Sequence, residues 1–133
     1  ILKDVTQQGR VVTVIITPTY SGCPAMDIIN EDIQGVMDVH GIEKCLVTTQ
    51  LSPAWTTDWM TEKGRNQLRN YGIAPPNDVV NGEGRELDED TQVLCPHCGS
   101  HDTRMVSEFG STACKSLFQC NSCEEPFDLF KHI

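Results

Sequence analysis

The sequence predicts an α+β fold, a small mixed sheet carrying one main helix, followed by a C-terminal zinc ribbon. Three observations point there: two β-branched runs near the N-terminus, an apolar pattern of helical period after Pro24, and two Cys-x2-Cys pairs with 21 residues between them. A chain of 133 residues can hold one modest domain, or a smaller domain plus a module too small to bury a sufficient core unaided. Seven cysteines, four of them in the paired motifs, favour the second arrangement.

The first two elements are short runs, "ILKDVT" at 1–6 and "VVTVIIT" at 11–17, separated by "QQGR". Gly9 can take a positive φ, so the runs read as a hairpin. Ile1 already lies in strand-like sequence, which leads us to expect natural residues before it. From Pro24, Ala25, Ile29, Ile33, Val36, Met37 and His40 fall at helical spacing. Proline suits the first helical position and Gly41 the C-terminal cap, which predicts a helix over about 24–40. "EKCLVTTQL" at 43–51 then alternates as a strand packed on that helix would. Strand, helix and strand together imply a parallel crossover beside the hairpin.

After the turn-rich "SPAWTTD", Thr61 suits an N-cap, a short helix is expected over about 62–71, and Gly72 ends it. Residues 74–90 hold no sustained apolar period and six acids, and read as an acidic linker. The expected domains are therefore 1–73 and a ribbon over 91–133.

The sharpest local signal lies in the ribbon. Cys95, Cys98, Cys120 and Cys123 bracket two apolar runs joined at Gly110 and Ser111, the pattern of two thiolate knuckles on a hairpin. Four thiolates so spaced suit tetrahedral structural Zn(II), and a segment of about 40 residues has too little core without such a staple. Two disulfides, an iron site or an iron-sulfur cluster would use the same four residues. His97 and His101 lie close enough in sequence to replace one ligand, although four cysteines already close the shell. Cys114 reads either as a packing residue or as a spare thiol.

Charge excludes some partners. The formal net charge is -9, and residues 1–73, 74–90 and 91–133 carry -2, -5 and -2. No basic stripe is available for phosphate, which argues against nucleic acid. No apolar run approaches the roughly 20 residues needed to span a bilayer. Paired cysteines without a secretory leader point to a reducing compartment, the cytoplasm.

"TPTYSGCPA" at 17–25, then a helix, then a strand leading into "LSPAWTTDWMT", resembles the small iron-sulfur assembly domain of SufT and of eukaryotic cytosolic iron-sulfur targeting factors. "SEFGSTACKSLFQCNSCEEPFDLFK" resembles the C-terminal part of the PaaD family, also called PaaJ, accessory components of the phenylacetyl-CoA epoxidase system. Together the two likenesses span essentially the whole chain. They imply a non-catalytic role: helping to build or repair the iron-sulfur centre of the epoxidase, with its oxygenase and reductase components as partners. The iron-sulfur assembly machinery and a homodimer are further partners to consider. Cys23 matches the Cys-Pro thiol of the assembly domain. An acidic Asp-Pro-Glu motif expected ahead of the first hairpin is absent from this sequence.

Each functional residue also has a plainer reading. Cys23, just before a helix, sees unpaired N–H groups that favour thiolate, and so suits transient iron or cluster contact; it would equally fill space at a helix start. Trp55 and Trp59 suit anchors for a partner protein, or rings that pin their own loop. A Cys-His nucleophile pair is excluded, because His40 lies about 24 Å along the helix from Cys23. The alternative to maturation is a non-catalytic zinc-ribbon scaffold that docks the epoxidase components.

Overall fold

The computed structural model describes residues 1–79, 87–88 and 90–133. The chain divides into two compact units, Ile1–Trp55 and Thr56–Ile133. In the first, β1 (Leu2–Gln8) and β2 (Val11–Ile16) form the expected antiparallel hairpin, turning at Gly9 with φ 60°. α1 (Ala25–Val39) crosses over to β3 (Lys44–Thr49), which pairs parallel to β2, so the sheet order is β1-β2-β3. Gly41, at φ 72°, turns the chain out of the helix as the sequence indicated.

The alternation of β2 explains why the helix lies on one side of this sheet. Val12, Val14 and Ile16 are buried, while Val11, Thr13 and Ile15 point to the other face and are half-buried. Met26, Ile29, Ile33 and Met37 of α1 pack on the buried trio, with Cys45 and Val47 of β3 completing the cluster.

The second unit starts earlier than the expected boundary at 73. Thr56 and Thr57 donate from their hydroxyls to the main-chain oxygen of Ile133 at 2.9 and 3.2 Å, and Thr57 N–H donates to it at 3.0 Å. α2 (Glu62–Asn70) follows, its N–H at Gly64 capped by Thr61 Oγ1 at 3.1 Å. The chain then enters β4 (Ile73–Ala74), which pairs parallel to β7 (Pro126–Phe130). With β5 (Thr103–Ser107) and β6 (Lys115–Cys120) the sheet order is β4-β7-β6-β5. The expected linker over 74–90 thus begins inside this sheet: Ala74 is fully buried, and Val79 bridges to Val93. Its residues 80–86 and 89 lie outside the described residues.

Two interactions hold the start of that segment. Arg69 forks onto Asp78, with Nη2 to Oδ1 at 2.6 Å and Nε to Oδ2 at 2.9 Å, and the Asp78 side chain is 6% exposed. A carboxylate buried that far requires such a bidentate partner. Asp78 C=O also accepts from Leu94 N–H at 2.9 Å. The core beneath consists of Ala74, Val93, Cys95, Phe118, Cys120, Phe127 and Leu129, with the Phe118 and Phe127 rings stacked at 5.9 Å between centroids. Among the described residues, no helix is long and apolar enough to cross a membrane.

Two outcomes follow for stability. Phe118→Ala empties the centre of the second unit and should cost about 3–5 kcal/mol, read from urea unfolding. Asp128 meets burial, which disfavours its charge, but bonds from Ser111 Oγ at 2.7 Å and Lys115 Nζ at 3.1 Å hold its pKa below the ordinary value. Its stabilisation is therefore complete above the unfolded-chain pKa of about 4 and lost as pH falls through the lower folded value. Asp128→Asn should flatten that acid-side loss; an unchanged acid titration would refute the role.

Candidate metal centre

The ribbon is built from two loops of matching geometry. In the first, Cys95 N–H donates to Ser100 C=O at 2.9 Å, Gly99 N–H donates to Cys95 C=O at 2.9 Å, and Gly99 has φ 75°. In the second, Cys120 N–H donates to Glu125 C=O at 3.0 Å, and Glu124 has φ 63°. Glu124 stands at the position that Gly99 fills in the first loop, four residues after the leading cysteine. A left-handed glutamate carries a steric cost that glycine does not. Folding into the same turn twice is what aims both cysteines of each pair at one point.

The four sulfurs do converge. Cys98 Sγ lies 3.6 Å from Cys120 Sγ, Cys95 Sγ lies 3.8 Å from Cys123 Sγ, and all four fall within 4.8 Å of one another. Zn–S bonds of about 2.3 Å in a tetrahedron place sulfurs about 3.8 Å apart. The 3.6 and 3.8 Å pairs match the spacing a four-coordinate metal requires. All seven cysteines are free thiols, so no disulfide competes for the four.

Their electrostatics point the same way. Burial works against the Cys120 thiolate, but the main-chain N–H groups of Cys123 and Ser122 and the neighbouring thiols bring its pKa down to about 7. At Cys123 the N–H of Glu125 favours the thiolate, yet burial and the three other thiols push the value up to about 12. At Cys98 the N–H of Ser100 likewise favours the thiolate, but burial and the Cys120 and Cys95 thiols outweigh it and raise the pKa. Four sulfurs this close cannot all be anionic without a cation among them. A divalent metal at this point would supply that countercharge.

Several supports were not legible as site residues in the sequence. Ser100 Oγ and Ser122 Oγ meet at 2.7 Å across the two loops, and Asn121 Nδ2 donates to Asp102 Oδ1 at 2.8 Å. Thr103, buried, takes both backbone groups of Val93, accepting at 3.0 Å and donating at 2.8 Å. This fixes the strand that leads into Cys95. Only the pairing of the loops reveals these partners, because they stand 10 to 22 residues apart.

The remaining candidates stand elsewhere. Neither His97 nor His101 joins the sulfur cluster; a Cβ on Gly72 would meet His97 Cε1 at 3.0 Å, so that ring lies against the end of α2. Cys114 sits before the far end of β6, roughly 20 Å from Cys120 at about 3.3 Å per residue, with its sulfur 3.1 Å from Thr112 Oγ1. Cys23 is half-buried just ahead of α1, its carbonyl accepting from Met26 N–H at 3.4 Å. α1 begins at Ala25, and Pro24 caps it without a side-chain hydrogen bond. Trp55 is buried, whereas Trp59, in the 3-10 turn Thr57–Trp59, is 38% exposed.

Metal binding must displace thiol protons, so retention should weaken as pH falls below about 7 and strengthen above it. Release to a chromophoric chelator across about pH 5 to 9 measures this; a flat profile would argue against thiolate ligation. Glu124→Gly relieves the left-handed strain and should stabilise the second unit by about 0.5–1 kcal/mol with the metal still bound.

Residues 80–131 match the family described as the PaaD zinc beta ribbon domain. Over 132 residues, 99% of this chain and 78% of the other, the sequence is 48% identical to a protein of Escherichia coli (strain K12) named provisionally as a subunit of 1,2-phenylacetyl-CoA epoxidase. A crystal structure of a domain of unknown function, DUF59, from Bacillus anthracis aligns with 50% of this chain and 66% of its own, under two thirds, at 24% identity and a TM-score of 0.46.

Proposed function

We infer the function from one premise: the chain belongs to the PaaD family, together with its Escherichia coli relative named for 1,2-phenylacetyl-CoA epoxidase. On that premise it is an accessory, non-catalytic component of a phenylacetyl-CoA epoxidase system, assisting assembly or repair of an iron-sulfur cluster in that complex. The observation that carries the subunit assignment is the 48% identity sustained over 99% of the chain. The maturation role draws on the Cys-Pro turn at Cys23 and Pro24 and its resemblance to iron-sulfur assembly domains.

Within this reading, Cys95, Cys98, Cys120 and Cys123 hold a structural Zn(II). The metal supplies a cross-link between the two loops, and the protein side contributes the preset turns and the hydroxyl and amide pairs that hold them together. Cys23 is the contact for iron or a cluster fragment as cargo. Its sulfur is soft enough for iron, and the first turn of α1 behind it has no side-chain cap competing for its N–H groups. One thiolate cannot complete a cluster site, so the client or assembly machinery provides the other ligands. Trp59 is offered to a partner, Cys114 remains a spare thiol, and the workplace is the cytoplasm, where thiols persist reduced.

The test is the cluster content of the epoxidase reductase component produced with the wild-type protein, with Cys23→Ser, or with neither. Iron and acid-labile sulfide should fall in both latter cases while the variant stays folded and zinc-loaded. Full cluster content in all three would remove the maturation role and leave a docking scaffold. A second outcome concerns the metal itself: chelation or Cys98→Ser should unfold the unit containing β4 to β7 and leave β1 to β3 intact. Simultaneous loss of both units would show that they do not fold separately.

A further inference from the structure

α1 has a second apolar stripe that its own sheet does not use. Met26, Ile29, Ile33 and Met37 account for the packed side. Ile28, Val36 and Val39 lie outside it and are 62%, 55% and 85% exposed. At about 100° per residue, Ile28, Gly35 and Val39 fall in one row, at i, i+7 and i+11, on the side away from the sheet. A parallel row beside it carries Asp27, Glu31 and Asp38, all exposed. The helix contains no lysine or arginine.

Gly35 is the telling residue. A Cβ there would meet nothing within 4 Å, so neither the helix nor its sheet requires a glycine, and one in mid-helix costs propensity. Its place is the middle of the exposed row. Around it runs a shallow groove of about 370 Å³ lined by Glu31, Asp32, Gly35, Val36, Val39 and His40.

We propose that this face of α1 docks an amphipathic helix of another protein component of the epoxidase system, one with a narrow apolar stripe flanked by lysine or arginine. The proposal rests on the epoxidase reading above. A row at i, i+7 and i+11 is the seam that one helix offers another. The glycine notch lets a partner backbone approach closely. The acidic row then selects the sign of the partner's charge and speeds its encounter. A second copy of this chain would bring acid against acid, which the same argument disfavours.

The experiment uses the full chain, zinc-loaded, titrated separately with the purified oxygenase and reductase components at low and high salt. One component should bind, more weakly as salt rises. Val36→Ser with Val39→Ser, and separately Glu31→Lys with Asp38→Lys, should each weaken binding tenfold or more, while circular dichroism and zinc content stay unchanged. All four positions are exposed, so neither pair should disturb the fold. Wild-type binding that both pairs leave intact overturns the docking face without touching the family assignment. No binding of either component overturns the docking proposal, and the reductase cluster content then decides separately whether the maturation reading survives. Self-association abolished by the same substitutions, with neither component bound, would assign the face to a second copy and also overturn the proposal.

Discussion

The convergence of four thiols is the constraint on which the second unit depends. Its buried core holds only a handful of large side chains, Phe118, Phe127 and Leu129 chief among them, and two members of that core, Cys95 and Cys120, are themselves part of the cluster. Hydrophobic burial and the candidate metal site thus share the same residues. In a module of this size the apolar area alone leaves little surplus over chain entropy, so a cross-link at the cluster carries weight that a larger domain would spread over many contacts.

The rest of the unit is arranged around that point. Strands β5 and β6 leave from one loop and lead into the other, and β7 follows the second loop directly, so three of the four strands are tied to the cluster by short connections. β4 closes the opposite edge from a distant part of the sequence. The Arg69–Asp78 fork and the bridge between Val79 and Val93 bring that segment alongside the chain entering Cys95. The Asp78 charge is buried against a bidentate partner, which is the condition under which a low-polarity interior tolerates it.

The first unit follows a different logic. It has no sulfur cluster and relies on one apolar face of a three-stranded sheet covered by one helix. That arrangement buries one face of β2 and leaves α1 half wetted, with no residue of the helix fully buried. A helix so placed has surface to spare, and Ile28, Gly35 and Val39 occupy it. Cys23 stands ahead of the same helix, at the end opposite Val39. The proposed iron contact and the proposed docking face thus belong to one helix, the first ahead of its start and the second along its exposed side.

Much of this was legible in the sequence because it depends on local chemistry. The Gly9 turn, the helical period from Ala25, the cap at Thr61, and each of the Cys-x2-Cys pairs all act within a few residues, and each of these local features stands where it was expected. The membership of residues 56–79 was not legible. "IAPPND" looks like linker because two prolines and an acid hide a two-residue strand, and only pairing with β7, more than 50 residues away, turns Ala74 into core. The same holds for Glu124, whose left-handed turn is visible only beside Gly99, and for the pairs Ser100 with Ser122 and Asp102 with Asn121. Sequence by itself determined most of the elements and the four-cysteine motif, since propensity, capping and motif spacing are local. Tertiary structure decided which elements share a core and which side chains brace the cluster, since those depend on contacts between distant segments that no local pattern encodes.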